Sequence, residues 1–214
     1  YKRLPFSELP FKTVGIVGGK GRMGKWFANI LTKSGLEVLI SDKGSKLSTE
    51  ELCKKSDVIL ISVPMSIADG IAEEVCKHID SGKLVLENCS IKNSALPQLE
   101  EKAKKGVEVL GVHTMFAGDI ESLHGENIII TKTNSSSEKA QSFEDLLYKH
   151  GARITHATID THDSVLAYNQ SLLHFTLVAL AEVLRKNMSD ERALDEFSTP
   201  NSRKIIGAMK RLLA

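Results

Sequence analysis

Little in this chain points toward a membrane, a nucleic acid or an oxidising compartment. Its 28 basic and 27 acidic residues leave a formal charge of +1 over 214 positions, so no electrostatic argument favours a polyanion or an acidic lipid surface. Three cysteines, Cys53, Cys76 and Cys89, are odd in number and widely spaced, with no C-x-x-C among them. That argues against a disulfide framework and makes a reduced, cytoplasmic setting the expectation. No apolar run approaches membrane-spanning length, and the N-terminus has no signal-peptide pattern. The seven histidines show no metal-ligand spacing such as H-E-x-x-H, so no metal is expected. Internal repeats and low-complexity segments are absent as well. What is left is an ordinary globular composition, 42% hydrophobic and 26% charged, in a chain long enough for one large domain or one and a half.

From Thr13 onward, short β-branched runs alternate with helical patterns, the rhythm of βαβ units. Strands are expected at 13–18, 37–41, 57–63, 83–88, 107–112, 127–131 and 152–155. A helix over Arg22–Ser34 is closed by Gly35, another follows Pro64, a third lies around Gln98–Lys105, and a fourth runs from Ser137 to His150. Near Thr158 the pattern changes to one long helix reaching Lys186. A further helix opens at "STPN", with Thr199 as N-cap and Pro200 in the first helical position. The expected fold is therefore α/β, a doubly wound and mainly parallel Rossmann-type sheet followed by a helical segment. Residues 1–11, with Pro5 and Pro10, read as an arm or linker, 12–156 as a dinucleotide-binding domain, and 157–214 as the start of a helical domain that is cut short.

"GIVGGKGRMG" carries Gly19-x-Gly21-x-x-Gly24 between the first strand and its helix. In that context the glycines allow a tight turn and close approach of backbone to a pyrophosphate, which the helix N-terminus then receives. Asp42, about 20 residues further on at the end of strand two, suits the two ribose hydroxyls and repels a 2′-phosphate, favouring NAD over NADP.

Ligands in such folds lie beyond the carboxyl ends of the strands. Ser62–Pro64, Ser90–Lys92 and His113 are expected there. On the long helix, Asp163, Gln170 and His174 share a face, with His162 to one side. Singly, each has a plainer reading: Ser90 as a cap, Lys92 as a solvated or phosphate-side charge, His174 as a core histidine.

"GGKGRMGKWFANILTKSG", "ISVP", the S-x-K-N of Ser90–Asn93, "GVHTMFAGD", "HDSVLAYNQSLLHF" and "STPNSRKIIGAMKRLLA" together resemble prephenate dehydrogenase, in the form fused to chorismate mutase. The likeness runs from about Phe11 to the last residue. It implies that His113, in the place of the family's H-P-M-F-G histidine, is catalytic, with Ser90 near it and the substrate hydroxyl. It implies that His174 and Gln170 line a substrate pocket, that Arg211 binds a substrate carboxylate, and that Arg203, His162 and Asp163 are structural. It assigns NAD to Gly19, Gly21, Arg22, Met23, Gly24, Asp42, Ser62 and Pro64. The implied reaction is NAD-dependent oxidative decarboxylation of prephenate to 4-hydroxyphenylpyruvate in a homodimer, with chorismate mutase or prephenate dehydratase domains as possible fusion partners. Arogenate is the alternative substrate, and a weakly active cofactor-binding or regulatory module is the alternative role. A small-acid reductase should carry a catalytic lysine on the long helix, and "HDSVLAYNQSLLHF" has none. Two departures stand out: Thr114 replaces a proline, and Ala117-Gly118 replaces Gly-Pro.

Overall fold

Two strands here have no exposed face at all: β3 (Val58–Ile61) and β4 (Leu84–Glu87) are buried at every position. Strands read this way when helices cover both sides of a sheet. In the computed structural model, which describes residues 9–102, 106–134, 136, 138–188 and 191–213, they sit at the centre of a seven-stranded sheet. The remaining strands are β1 (Thr13–Val17), β2 (Glu37–Ser41), β5 (Glu108–Thr114), β6 (Asn127–Lys132) and β7 (Arg153–His156), in the order β2-β1-β3-β4-β5-β6-β7. All neighbours run parallel except β5 and β6. The fold is the doubly wound, Rossmann-type architecture expected.

One face of the sheet packs Val14, Ile16, Leu60, Leu86 and Val112 against Phe27 and Leu31 of α1 (Arg22–Lys33) and Phe143 and Leu147 of α5 (Glu138–Lys149). The other packs Val17, Ile59, Ile61 and Val85 against α2 (Thr49–Lys55), α3 (Met65–His78) and α4 (Ala95–Lys102). Each large side chain buried in these layers contributes roughly 1.5–3 kcal/mol. Gly35 and Gly151, at φ +82° and +93°, close α1 and α5 in the left-handed conformation that glycine tolerates best.

Three differences from the sequence reading matter. Helix α2 was not anticipated; its signal is a capping box in which the Ser48 hydroxyl accepts from the Glu51 amide and the Glu51 carboxylate accepts from the Ser48 amide. Helix α4 begins at Ala95, ahead of the expected start, and residues 103–105 of that expectation lie outside the described residues. Strand β5 runs to Thr114, so His113 lies within the strand and not after it. Most of the expected 1–11 arm also falls outside the described residues.

The chain divides into two units, the first ending at His162 and the second opening at Asp163. Helix α6 (Ile159–Leu166), a π-helical stretch at Ala167–Leu172 and α7 (Leu173–Asn187) run continuously, as expected. A short α8 (Glu191–Glu196) follows. Then comes α9 (Pro200–Leu213), where the Thr199 hydroxyl accepts from the Ser202 amide at 3.2 Å as the predicted cap. By length and composition alone the 29-residue helix could cross a membrane, with a mean hydropathy of 1.2 in its best window, 6% of it buried. No uninterrupted apolar run exists because His162, Asp163, Asn169, Gln170 and His174 break it.

Candidate active site

The glycine loop sits between β1 and α1, at the point where strand order reverses and the crevice of such sheets opens. A Cβ on Gly24 would lie 2.3 Å from the Gly18 carbonyl oxygen, and one on Gly19 would lie 2.6 Å from Ile40, so neither position accepts a side chain. A Cβ on Gly21, the N-cap of α1, would meet only Gly18 O at 3.3 Å; its absence clears the space before the helix N-terminus. Asp42 closes the loop from the side: one carboxylate oxygen accepts from the Lys20 amide at 2.8 Å and the other from the Lys43 amide at 2.7 Å. Beside it a cavity of about 330 Å³ is lined by Gly18, Asp42, Leu47, Val63, Ile71 and Glu74. A cradle cleared of side chains, a helix N-terminus and a fixed carboxylate fit a dinucleotide. Arg22 is exposed and Met23 half-buried in the first turn of α1, and Ser62 and Pro64 lie on the β3–α3 connection across the crevice. A Cβ on Gly118 would stand 2.7 Å from the Arg22 carbonyl oxygen, so the loop after β5 passes tightly over that first turn.

His113 is 6% exposed, and its Nδ1 lies 2.9 Å from Nε2 of His162, itself 2% exposed. This juxtaposition was not legible from helical spacing, which set His162 to one side. The ends of β4 and β5 are tied by a second buried group. Lys92 Nζ donates to Glu87 Oε2 at 2.6 Å, to Glu87 O at 3.0 Å and to Val112 O at 2.9 Å, and Glu87 Oε1 accepts from the Cys89 amide at 2.5 Å. Neither side chain reaches solvent. The reading of Lys92 as a solvated charge is thereby overturned: sealed beneath the loop, an ammonium needs an anion and three acceptors, and finds them. Ser90 stands exposed just past β4.

Gln170, His174 and Arg211 belong to the second unit. Gln170 is half-buried inside the π-helical stretch, while His174 and Arg211 are exposed. A π turn takes up about one residue more than an α turn, so the seven-residue spacing from Asp163 to Gln170 no longer returns to one face. All three cysteines are free thiols; burial pushes Cys53 up to about 12 and raises Cys89 as well, so neither offers a thiolate. Among the described residues no cluster of metal-ligating side chains gathers.

Fold and loop define the class, a nucleotide-binding domain of the dehydrogenase type. Residues 32–156 match the model of the prephenate dehydrogenase nucleotide-binding domain, and the chain belongs to that family. A probable arogenate/prephenate dehydrogenase of Methanocaldococcus jannaschii is 28% identical over 94% of this chain and 49% of its own length. The T-protein of Haemophilus influenzae is 27% identical over 97% of this chain and 56% of its own. The chain thus spans about half the length of these relatives. Among solved structures, prephenate dehydrogenase of Aquifex aeolicus, in complex with hydroxyphenyl propionate and NAD+, superposes with a TM-score of 0.70 at 22% identity, covering 96% of this chain and 85% of the other.

Proposed function

We propose that this chain carries the nucleotide-binding part, and the beginning of the substrate and dimerisation part, of an enzyme that oxidatively decarboxylates prephenate to 4-hydroxyphenylpyruvate with NAD. The observation that supports it best is the buried His113–His162 contact near the end of β5, whose following loop passes over the first turn of α1. NAD, held by Gly19, Gly21, Gly24 and Asp42, supplies the hydride acceptor when bound. A ring hydroxyl placed at His113 gives its proton to Nε2. For Nε2 to accept, His113 must be neutral with its hydrogen on Nδ1, and that hydrogen is donated to Nε2 of His162. His162 therefore selects the reactive tautomer and steadies the cation that forms. As hydride leaves the ring carbon and the hydroxyl proton moves to His113, the bond to the ring carboxylate breaks. Its electron pair enters the ring, CO₂ departs, and aromaticity drives the step forward.

Ser90 orients the hydroxyl, Arg211 clamps a carboxylate, where a planar guanidinium outperforms an ammonium, and Gln170 and His174 line the remaining pocket. We place the domain limits near 12–156 and 157–214, the first ending where the match to the nucleotide-binding domain ends. A homodimer is supported by the second unit's exposed apolar side chains, Tyr168 at 74% and Phe175 at 72% among them. The relative named for both arogenate and prephenate supports arogenate as the second reading. Formation of NADH by the whole protein, with prephenate and arogenate in competition, tests both; no NADH from either sinks the proposal.

A further inference from the structure

We infer that the backbone N–H of Thr114 donates a hydrogen bond to the substrate oxygen that His113 deprotonates. The inference rests on the functional reading above and adds a second donor to it. The direction of the amide follows from the register of the sheet. Along a strand, the N–H and C=O of one residue face the same edge, and the edge alternates from residue to residue. The Glu108 amide donates to Lys83 O at 2.8 Å, and Val112 O accepts from Lys92, so the even-numbered residues of β5 face β4. The Met115 amide donates to Asn127 O at 3.0 Å, so the odd-numbered ones face β6. Thr114 therefore aims its N–H toward the β4 edge.

No strand waits for it there. β4 ends at Glu87, opposite Gly111, and Thr114 lies three residues beyond. On that side the chain has turned into Asn88–Ser90, with Ser90 exposed at the mouth. The peptide is held rigidly by the Lys92 bond to Val112 O and by pairing with Ile128 on β6. Thr114 is 7% exposed and His113 6%, so bulk water competes little for either group. As the hydroxyl proton passes to His113, negative charge grows on the oxygen. A fixed N–H interacts more strongly with that charge than with the neutral hydroxyl, and the bond tightens toward the transition state. A proline at 114, as in the H-P-M-F-G pattern, has no N–H to give.

The test uses the full protein, ¹⁵N-labelled and saturated with NAD, with saturation by each ring compound confirmed by calorimetry. 4-Hydroxyphenylpyruvate presents a phenolic oxygen where the substrate hydroxyl stood; phenylpyruvate lacks it. The Thr114 amide proton is expected to move downfield with the first compound and not with the second. An equal response to both, or to neither, overturns the inference. In turnover, Thr114→Pro should lower kcat roughly 10²-fold, the usual cost of one lost oxyanion donor, and Thr114→Ala, which keeps the N–H, should lose far less. A Pro variant as fast as wild type, or an Ala variant equally slow, overturns it too. Should Thr114→Pro not fold, the resonance experiment decides alone. A wild-type protein that forms no NADH from either substrate would defeat the functional reading itself, whereas an active wild type with an indifferent Thr114 defeats only this donor.

Discussion

Lys92 Nζ lies 2.6 Å from Glu87 Oε2, and both side chains are fully withdrawn from water. A pair so placed is asymmetric in what it tolerates. Removing one partner strands a charge in the interior at a cost of about 3–5 kcal/mol, whereas removing both together is far milder. Lys92→Met should therefore lower the melting temperature sharply, and Lys92→Met/Glu87→Gln should regain most of the loss. Calorimetric scans of the wild type and the two variants check this; a double variant as unstable as the single one would mean that the pair is not the source of the effect.

His113 and His162 should behave as one unit. His113→Asn is expected to cut kcat about 10²–10⁴-fold, the range for a positioned proton acceptor, with NAD affinity nearly unchanged. His162→Phe should cost a large share of the same factor, and the double variant little more than the worse single one. Additive losses in steady-state kinetics would show that the two rings act separately.

At the ribose end, Asp42→Ser should open the loop to a 2′-phosphate. Lys20 Nζ already donates to Lys43 O at 2.9 Å, which keeps two ammonium-bearing residues beside the carboxylate. The kcat/KM ratio of NAD to NADP is expected to fall roughly tenfold or more once the repelling charge is gone. An unmoved ratio would transfer cofactor choice to another residue.

His150 gives the fold an acid-sensitive joint. Its Nε2 lies 2.7 Å from the Ser34 hydroxyl, which itself donates to Ile30 O, so the ring nitrogen is the donor in that contact. Burial, and then the neighbouring Lys33 charge, hold the imidazole below its usual 6.5. Because the folded value is depressed, the unfolded chain takes up its proton first as pH falls. Stability is therefore full above 6.5 and declines between 6.5 and the lower folded value. His150→Gln should flatten urea-derived stability across that window; an unchanged slope would assign the acid sensitivity elsewhere.

If Arg211 clamps a substrate carboxylate as proposed, Arg211→Gln should raise the substrate KM by an order of magnitude or more while cofactor affinity holds, a charge-assisted fork being worth roughly 1.5–3 kcal/mol. Equal KM values would move carboxylate binding to a different cation.

Strands, the glycine loop and the long helix were legible because each rests on local rules: β-branched runs, a turn that only glycine permits, and periodic apolar residues. His113 was legible as a residue type at a strand end, but not as a strand residue, since the extra length of β5 comes from pairing with β6 and not from its own propensity. His162 was missed because ideal helical spacing says nothing about the ring it meets across the sheet. Lys92 was misjudged because lysine is exposed by default, and only tertiary burial beside Glu87 reverses that. One hint was present: an acidic residue closing the apolar run "LVL" needs a partner.

Strand β5 outruns β4 by three residues, Val112 to Thr114, and over that stretch only β6 backs it. Mechanically His113 rides on a cantilever. The Lys92 ammonium props it at Val112 in place of the strand that stopped, and among the described residues the antiparallel β6 is the one strand paired with it there. A change that loosens β6, however far from the nucleotide, reaches His113 through one hydrogen-bonded edge, and the amides of Ile128–Ile130 are where such loosening would first exchange with solvent.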